Sequence, residues 1–450
     1  MASVNGTATP EQPSDERFAR VQQLARSGQL VAARSLCEEI LATHPRHTAA
    51  LNFLAMLALQ QGDLPYSVKL LQQALEVEPE RAALHRNLAL AYAAQRDWNA
   101  AVAGLDRALA LQPGFAAALL DKGAMLERLN RSEEALANFY AALEEARTQG
   151  LWLQAEATPP NIRSLLAHAT VTVQNARAGF IAERLRPVRE RHGDAALARV
   201  DKCIDIYLGR RPLQYLHPQQ RPTFMLFPDI PARNFFDREE FPELDAIEQA
   251  TPEIQAELEQ VMSGTEGFRP FIEIPDSPGA EYWQTLNHSP NWNAFFFYRD
   301  GVRYDGNCRR CPKTAAALDA LDLSRVPEHS PEALFSILTP GTHIPPHTGV
   351  TNTRLVCHLP LVIPGNGALK VAGEAREWSE GRCMIFDDTF EHEAWNDSDR
   401  TRVVLIFDLW NPYLTPAERE AISVAVQATG HFNRQMNSRR GFAAKPQASV

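Results

Sequence analysis

The residues best suited to do chemistry lie between Ser336 and Arg402, in SILTPGTHIPPHTGVTNTRLVCHLPLVIP and then GRCMIFDDTFEHEAWNDSDRTR. His347 and His392 sit in polar or Pro/Gly-interrupted turns, each followed by a short alternating or apolar run of the kind that forms strands. Two imidazoles so placed suit a metal ion at the mouth of a small β-barrel or jelly roll. Within RLVCHLPLVI the two-residue period of a strand puts Arg354, Val356 and His358 on one face and Leu355, Cys357 and Leu359 on the other.

Ferrous chemistry asks for neutral imidazoles held rigidly on one side of the metal, with open positions opposite for a co-substrate and dioxygen. Strands supply that rigidity. The common ligand set adds a carboxylate, expected two residues after the first histidine. Gly349 stands there instead.

The wording HTGVTNTRLVCHLPLVIP, followed by MIFDDTFEHEAWNDSDRTRVVLIFDLWNPYLTPAER, strongly resembles the aspartyl/asparaginyl β-hydroxylase family of 2-oxoglutarate-dependent oxygenases. That family also has glycine where its relatives have an acid. The resemblance implies a double-stranded β-helix of the jelly-roll or cupin type. It implies iron(II) held by His347 and His392, with water in the missing carboxylate position, and 2-oxoglutarate and O2 as co-substrates. Arg402, at the start of RVVLIFDLW, is by resemblance the partner of the far carboxylate of 2-oxoglutarate; a guanidinium fork suits that task. Ser336 adds a hydroxyl donor, and His358 helps hold the carboxylate near the iron. The family commonly has arginine where Val356 stands, and Arg354, on the same strand face, is the residue that could compensate. The implied reaction is hydroxylation of the β-carbon of Asp or Asn in a peptide.

Other polar residues of this stretch have structural readings. His343 precedes two prolines and reads as a supporting residue, Asp387 and Asp388 as fixing the turn before His392 through backbone hydrogen bonds, and Asp397 and Asp399 as solvated loop charges. Cys308 and Cys311 form the one C-x-x-C pair among six cysteines; no second pair or matching histidines make a zinc site, so they read as reduced thiols. Relatives can carry a disulfide in this loop, which leaves a bridge as the alternative.

The first half of the chain is built on a different plan. Pro45, Pro79 and Pro113 are spaced by 34 residues (79 minus 45, 113 minus 79), as are Ala74, Ala108 and Ala142, and Leu71, Leu105 and Phe139. Gly62, Arg96 and Asn130 fall at the matching turn. Small residues at fixed helix crossings with a proline ending the second helix resemble the tetratricopeptide repeat, whose stacked hairpins offer a groove to peptides or protein segments. The expected organisation is α+β and multidomain. A disordered N-terminus over 1–15 precedes a helical solenoid over 16–149 and a helical connector over 150–220. The hydroxylase-like domain spans 221–420, and a C-terminal helix and tail follow over 421–450. His168, His192 and His217 in or beside the connector have no partner spacing and read as ordinary histidines.

Bulk properties narrow the partners. Hydrophobic content of 45% and charged content of 22% are those of a globular protein, and a net charge of -10 argues against tracking nucleic-acid phosphates. No apolar run is long enough to span a bilayer and the first residues lack the blocks of a signal peptide, so the cytoplasm is the expected compartment. A peptide or protein recruited by the repeats is the expected substrate. Rival readings are a lipid or small-molecule hydroxylase, an iron halogenase using the position vacated at Gly349, and a repeat scaffold whose barrel has lost turnover.

Overall fold

The computed structural model describes residues 16–152, 158–264, 266–275 and 280–439. The expectation for 1–15, and the end of the tail beyond 439, lie outside them. By contact the chain divides into two units, one of residues 1–173 with 435–443, the other essentially 174–434.

The first unit opens with eight helices in four antiparallel hairpins: Glu16–Arg26 with Leu30–Thr43, Thr48–Gln61 with Leu64–Val77, Ala82–Ala94 with Trp98–Leu111, and Ala116–Arg128 with Ser132–Thr148. The repeated residues explain the repeated geometry. Ala74, Ala108 and Ala142 are fully buried, as are Leu71, Leu105 and Phe139, so small and large side chains alternate at the same crossing of each pair. Gly62, Arg96 and Asn130 all take positive φ (82°, 64° and 59°), which reverses the chain inside each hairpin. Asp63 and Asp97 then cap the next helix by accepting from the amides of Tyr66 and Ala100. Gly123 is required for packing: a Cβ there would meet the Phe139 ring at 2.4 Å.

The connector is mostly one helix, Arg163–His192, which runs through Pro187 and across the division between the units; Ala198–Tyr207 follows. At the other end, Pro416–Arg439 is a single 24-residue helix that starts ahead of the C-terminal helix expected from 421, and Ala421, Ile422, Ala425 and Ala428 bury a helical stripe along it. Among the described residues no helix is long and apolar enough to cross a membrane.

The second unit contains two antiparallel sheets. Its strands are β1 (Phe235–Phe236), β2 (Phe268–Pro270), β3 (Trp292–Arg299), β4 (Val302–Arg303), β5 (Ala333–Leu338), β6 (Thr342–His347), β7 (Arg354–Val362), β8 (Gly367–Val371), β9 (Glu374–Arg376), β10 (Met384–Phe386), β11 (His392–Asn396) and β12 (Arg402–Trp410). The larger sheet runs β1-β10-β7-β12-β5-β3-β2, with β4 paired to β3; the smaller runs β6-β11-β8-β9. Alternation sorts the side chains of the larger sheet. Leu355, Cys357, Leu359, Val403, Leu405, Phe407 and Phe335 join a core with the helices Thr251–Met262 and Pro312–Asp319. The intervening residues, including Val356 and Val404, meet Ile344, Leu369, Val371 and Ala394 of the smaller sheet. The candidate site lies on this second side.

Candidate functional site

Register brings the two histidines together. His347 ends β6, His392 begins β11, and the two are directly opposed in that antiparallel pair. Their ring centroids are 4.1 Å apart. His347 Nδ1 lies 2.8 Å from the Pro345 carbonyl and His392 Nδ1 lies 2.9 Å from the Phe390 carbonyl. A carbonyl can only accept, so each Nδ1 carries the proton and each Nε2 keeps its lone pair. Burial, and for His347 the neighbouring His392, lowers the two pKa values to about 3 and about 4, so both rings are neutral at pH 7. Neutral imidazoles fixed by backbone carbonyls are the ligand form that a divalent first-row metal requires.

The glycine at 349 has a steric reason. A Cβ built there would lie 2.1 Å from Asp388 Oδ2, so the Asp388 carboxyl fills the space a side chain would need. Asp388 is buried and its Oδ1 finds no partner, which ordinary turn-fixing would not leave. Its neighbour Asp387 does fix the turn, accepting from the Thr389 amide at 2.9 Å and from Gln220 Nε2 at 3.1 Å. Among the described residues no group of three or more His, Cys, Asp or Glu side chains is arranged to hold a metal ion.

A cavity of about 330 Å³ extends from these rings over the larger sheet, lined by Ser336, His358 and Arg402 among others. Arg402 is 2% exposed. Among the described residues its side chain makes one hydrogen bond, a long one of 3.5 Å to the Ser336 carbonyl; Nε has no partner there, and no carboxylate pairs with it. Burial alone lowers its pKa to about 9. An uncompensated buried guanidinium is costly, and its presence beside a cavity calls for an anionic ligand. Ser336 Oγ accepts from Trp292 Nε1 at 3.1 Å. His358 Nδ1 accepts from Trp378 Nε1 at 3.2 Å, which puts its proton on Nε2. Its pKa is lowered by burial first and then by Arg402 and His392.

Arg354 lines the cavity with Val356 and His358, as the strand alternation requires, but it is already engaged: it is ion-paired with Asp408 and lies 3.4 Å from Asp388. Burial lowers its pKa, and Asp408, Asp388 and Glu332 more than offset that. The residues read as bystanders are elsewhere. His343 pairs with Glu393 at 2.8 Å, His168 with Glu127 at 2.9 Å and His192 with Glu420 at 2.8 Å; His217 packs on Phe390, and Asp397 and Asp399 are exposed. Cys308 and Cys311 are free, buried thiols, with Cys311 pushed up to about 12 by burial.

Trp378, Trp292, Asp388 and Glu332 were not legible as site residues. FDD marked Asp388 only as one of an acidic pair, and nothing in the spacing of the tryptophans separates a wall of the site from core.

The family model described as aspartyl/asparaginyl beta-hydroxylase matches residues 248–412, and a tetratricopeptide repeat model matches 24–91. "Aspartate beta-hydroxylase domain-containing protein 2" of Mus musculus is 33% identical over 247 residues, covering 53% of this chain and 68% of that protein. The chain belongs to the aspartyl/asparaginyl β-hydroxylase family. The Xenopus tropicalis protein of the same name is also 33% identical over 247 residues, 53% of this chain and 63% of its own, so this family member spans less than two thirds of that relative. "Ornithine lipid ester-linked acyl 2-hydroxylase" of Rhizobium tropici is 37% identical over 185 residues, 40% of this chain and 62% of that one. The relatives of this chain thus include proteins named for aspartate and for a lipid.

Proposed function

We propose that this hydroxylase is an Fe(II)/2-oxoglutarate-dependent dioxygenase whose two sheets form a double-stranded β-helix. The observation that carries the reading is the pairing of two facing neutral imidazoles with an unpaired, buried guanidinium in one cavity. His347 and His392 would hold the iron through Nε2. Arg402 would grip the far carboxylate of 2-oxoglutarate with two parallel hydrogen bonds, with Ser336 Oγ as a further donor. His358, protonated on Nε2 because Trp378 occupies Nδ1, would donate to the carboxylate nearer the metal. When bound, iron with 2-oxoglutarate and O2 supplies the oxidant that converts an unactivated C–H to C–OH, with succinate and CO2 as co-products. The apolar wall formed by Phe271, Trp283 and Trp292 keeps bulk water from that chemistry.

The substrate we propose is the β-carbon of Asp or Asn in a peptide recruited by the repeat hairpins; such arrays bind extended segments. The Rhizobium relative favours a second reading, a lipid substrate against the same apolar wall. Succinate release in the presence of iron(II) and 2-oxoglutarate, measured with peptide or lipid added, tests both. Succinate from the native chain and none from His347→Ala supports the dioxygenase. Equal succinate from the two proteins removes it.

A further inference from the structure

The cavity has two electrically opposite ends. β12 carries Arg402 at one end of its cavity-facing row and Asp408 at the other, with Ile406 between. Six residues of extended strand separate them, roughly 20 Å. At the Asp408 end the register of β12 against β5 and β7 assembles Glu332, Asp408 and Arg354, and Asp388 joins them through Arg354. The backbone locks this corner: the Glu332 amide donates to Asp408 Oδ2 at 2.8 Å, and the Asp408 amide donates to the Glu332 carbonyl at 3.2 Å.

Three carboxyls thus stand beside one guanidinium, and Arg354 is committed to two of them, Asp408 and Asp388. Among the described residues no side chain hydrogen-bonds the Glu332 carboxyl. Arg299, the other cation that acts on Glu332, is turned to Glu273 at 3.6 Å. Asp388, 6% exposed, keeps Oδ1 without a partner. Val356, the residue between this corner and His358 on the same face of β7, brings no charge. Acceptors outnumber free donors here, and a carboxylate entering would face the acidic Glu332, Asp408 and Asp388 with Arg354 already engaged.

We infer that this acidic end receives the substrate and selects a nitrogen group that donates N–H bonds, a carboxamide or a cation, against a carboxylate, with Glu332 the specificity-determining residue. The inference rests on the reading that 2-oxoglutarate takes the Arg402 end. Between the two residues named above it chooses asparagine over aspartate, and it extends the choice to basic groups.

Equilibrium binding to the full chain in the presence of 2-oxoglutarate, by saturation-transfer NMR, tests it with three probes: the N-acetyl methylamides of asparagine, aspartate and arginine. The expected result is that the asparagine and arginine probes bind about tenfold or more tighter than the aspartate probe. Glu332→Gln should narrow that gap to about threefold or less, with the circular dichroism and 2-oxoglutarate affinity of the native chain retained. Aspartate binding as well as asparagine, an unchanged gap in a folded Glu332→Gln, or no binding of the asparagine and arginine probes overturns the inference. The ranking in the native chain stands as a test even if the variant does not fold. Loss of succinate release with the ranking intact would remove the dioxygenase reading alone; a reversed ranking with succinate release intact would remove this inference alone.

Discussion

Trp378 joins a neutral imidazole and a guanidinium that line the cavity: its Nε1 donates to Nδ1 of His358 at 3.2 Å, and the Arg402 guanidinium lies over its ring at 4.8 Å from the centroid. One indole therefore sets the tautomer of the imidazole and the position of the guanidinium. Trp378→Phe keeps an aromatic face for Arg402 but frees His358 Nδ1. The loss of one buried hydrogen bond, about 1 kcal/mol or somewhat more, should weaken 2-oxoglutarate binding by about five- to tenfold. Calorimetric titration of 2-oxoglutarate into the Mn(II)-loaded chain checks this, and unchanged affinity would show that the indole only fills space.

The Arg402 side chain predicts opposite effects with and without ligand. A buried charge with no counterion destabilises the fold, so Arg402→Met, of similar volume, should raise the melting temperature of the chain measured without 2-oxoglutarate. The native chain should gain about 2.7 kcal/mol of stability at a 2-oxoglutarate concentration 100 times its dissociation constant. Arg402→Met should gain little from the same addition. Thermal unfolding of both proteins with and without 2-oxoglutarate reads the crossover; parallel shifts would remove Arg402 from the co-substrate site.

What could be read from the sequence follows from how far each signal reaches along the chain. The hairpins were legible because Ala74, Ala108 and Ala142 repeat with the helices that bury them. The faces of β7 were legible because a strand alternates at every residue. His347 and His392 were singled out by the motifs around them, but their direct opposition across β6 and β11 depends on register, which no local pattern encodes. Arg354 illustrates the limit. Its place on the Val356 face followed from alternation, while its commitment to Asp408 and Asp388 depends on two other segments of chain. Trp378 and Glu332 were missed for the same reason.

Gly349 makes the proposed metal site resistant to a simple repair. Gly349→Asp would restore the carboxylate of the common ligand set, yet its Cβ would lie 2.1 Å from Asp388 Oδ2 and bring a second acid against a buried one. We expect the single variant to lose stability, on the order of 2–4 kcal/mol, and to bind Co(II) more weakly than the native chain. Gly349→Asp with Asp388→Ala removes the obstruction and should recover most of both. Urea unfolding and the visible absorption of Co(II) separate the cases. A single variant as stable as the native chain would show that Asp388 moves aside readily.

Glu332 gives the cavity a pH dependence of known sign. Burial first, and then Asp408, raises its pKa from the ordinary 4.5 to about 7, with Arg354 opposing. Because the folded value is the higher one, the native state holds this proton where the unfolded chain has released it. The resulting contribution to stability is complete below about pH 4.5 and is lost as pH rises to about 7. Glu332→Gln has no proton to lose, so its stability relative to the native chain should rise by on the order of 2 kcal/mol between pH 4.5 and pH 8. Urea midpoints for both proteins at the two pH values give this double difference directly, and the global pH response common to both cancels. The same ionisation strengthens the acidic end for a cation, so the arginine probe should bind the native chain more tightly at pH 8 than at pH 6. Glu332→Gln should show no such gain, and a gain of equal size in the variant would assign the titration to another group.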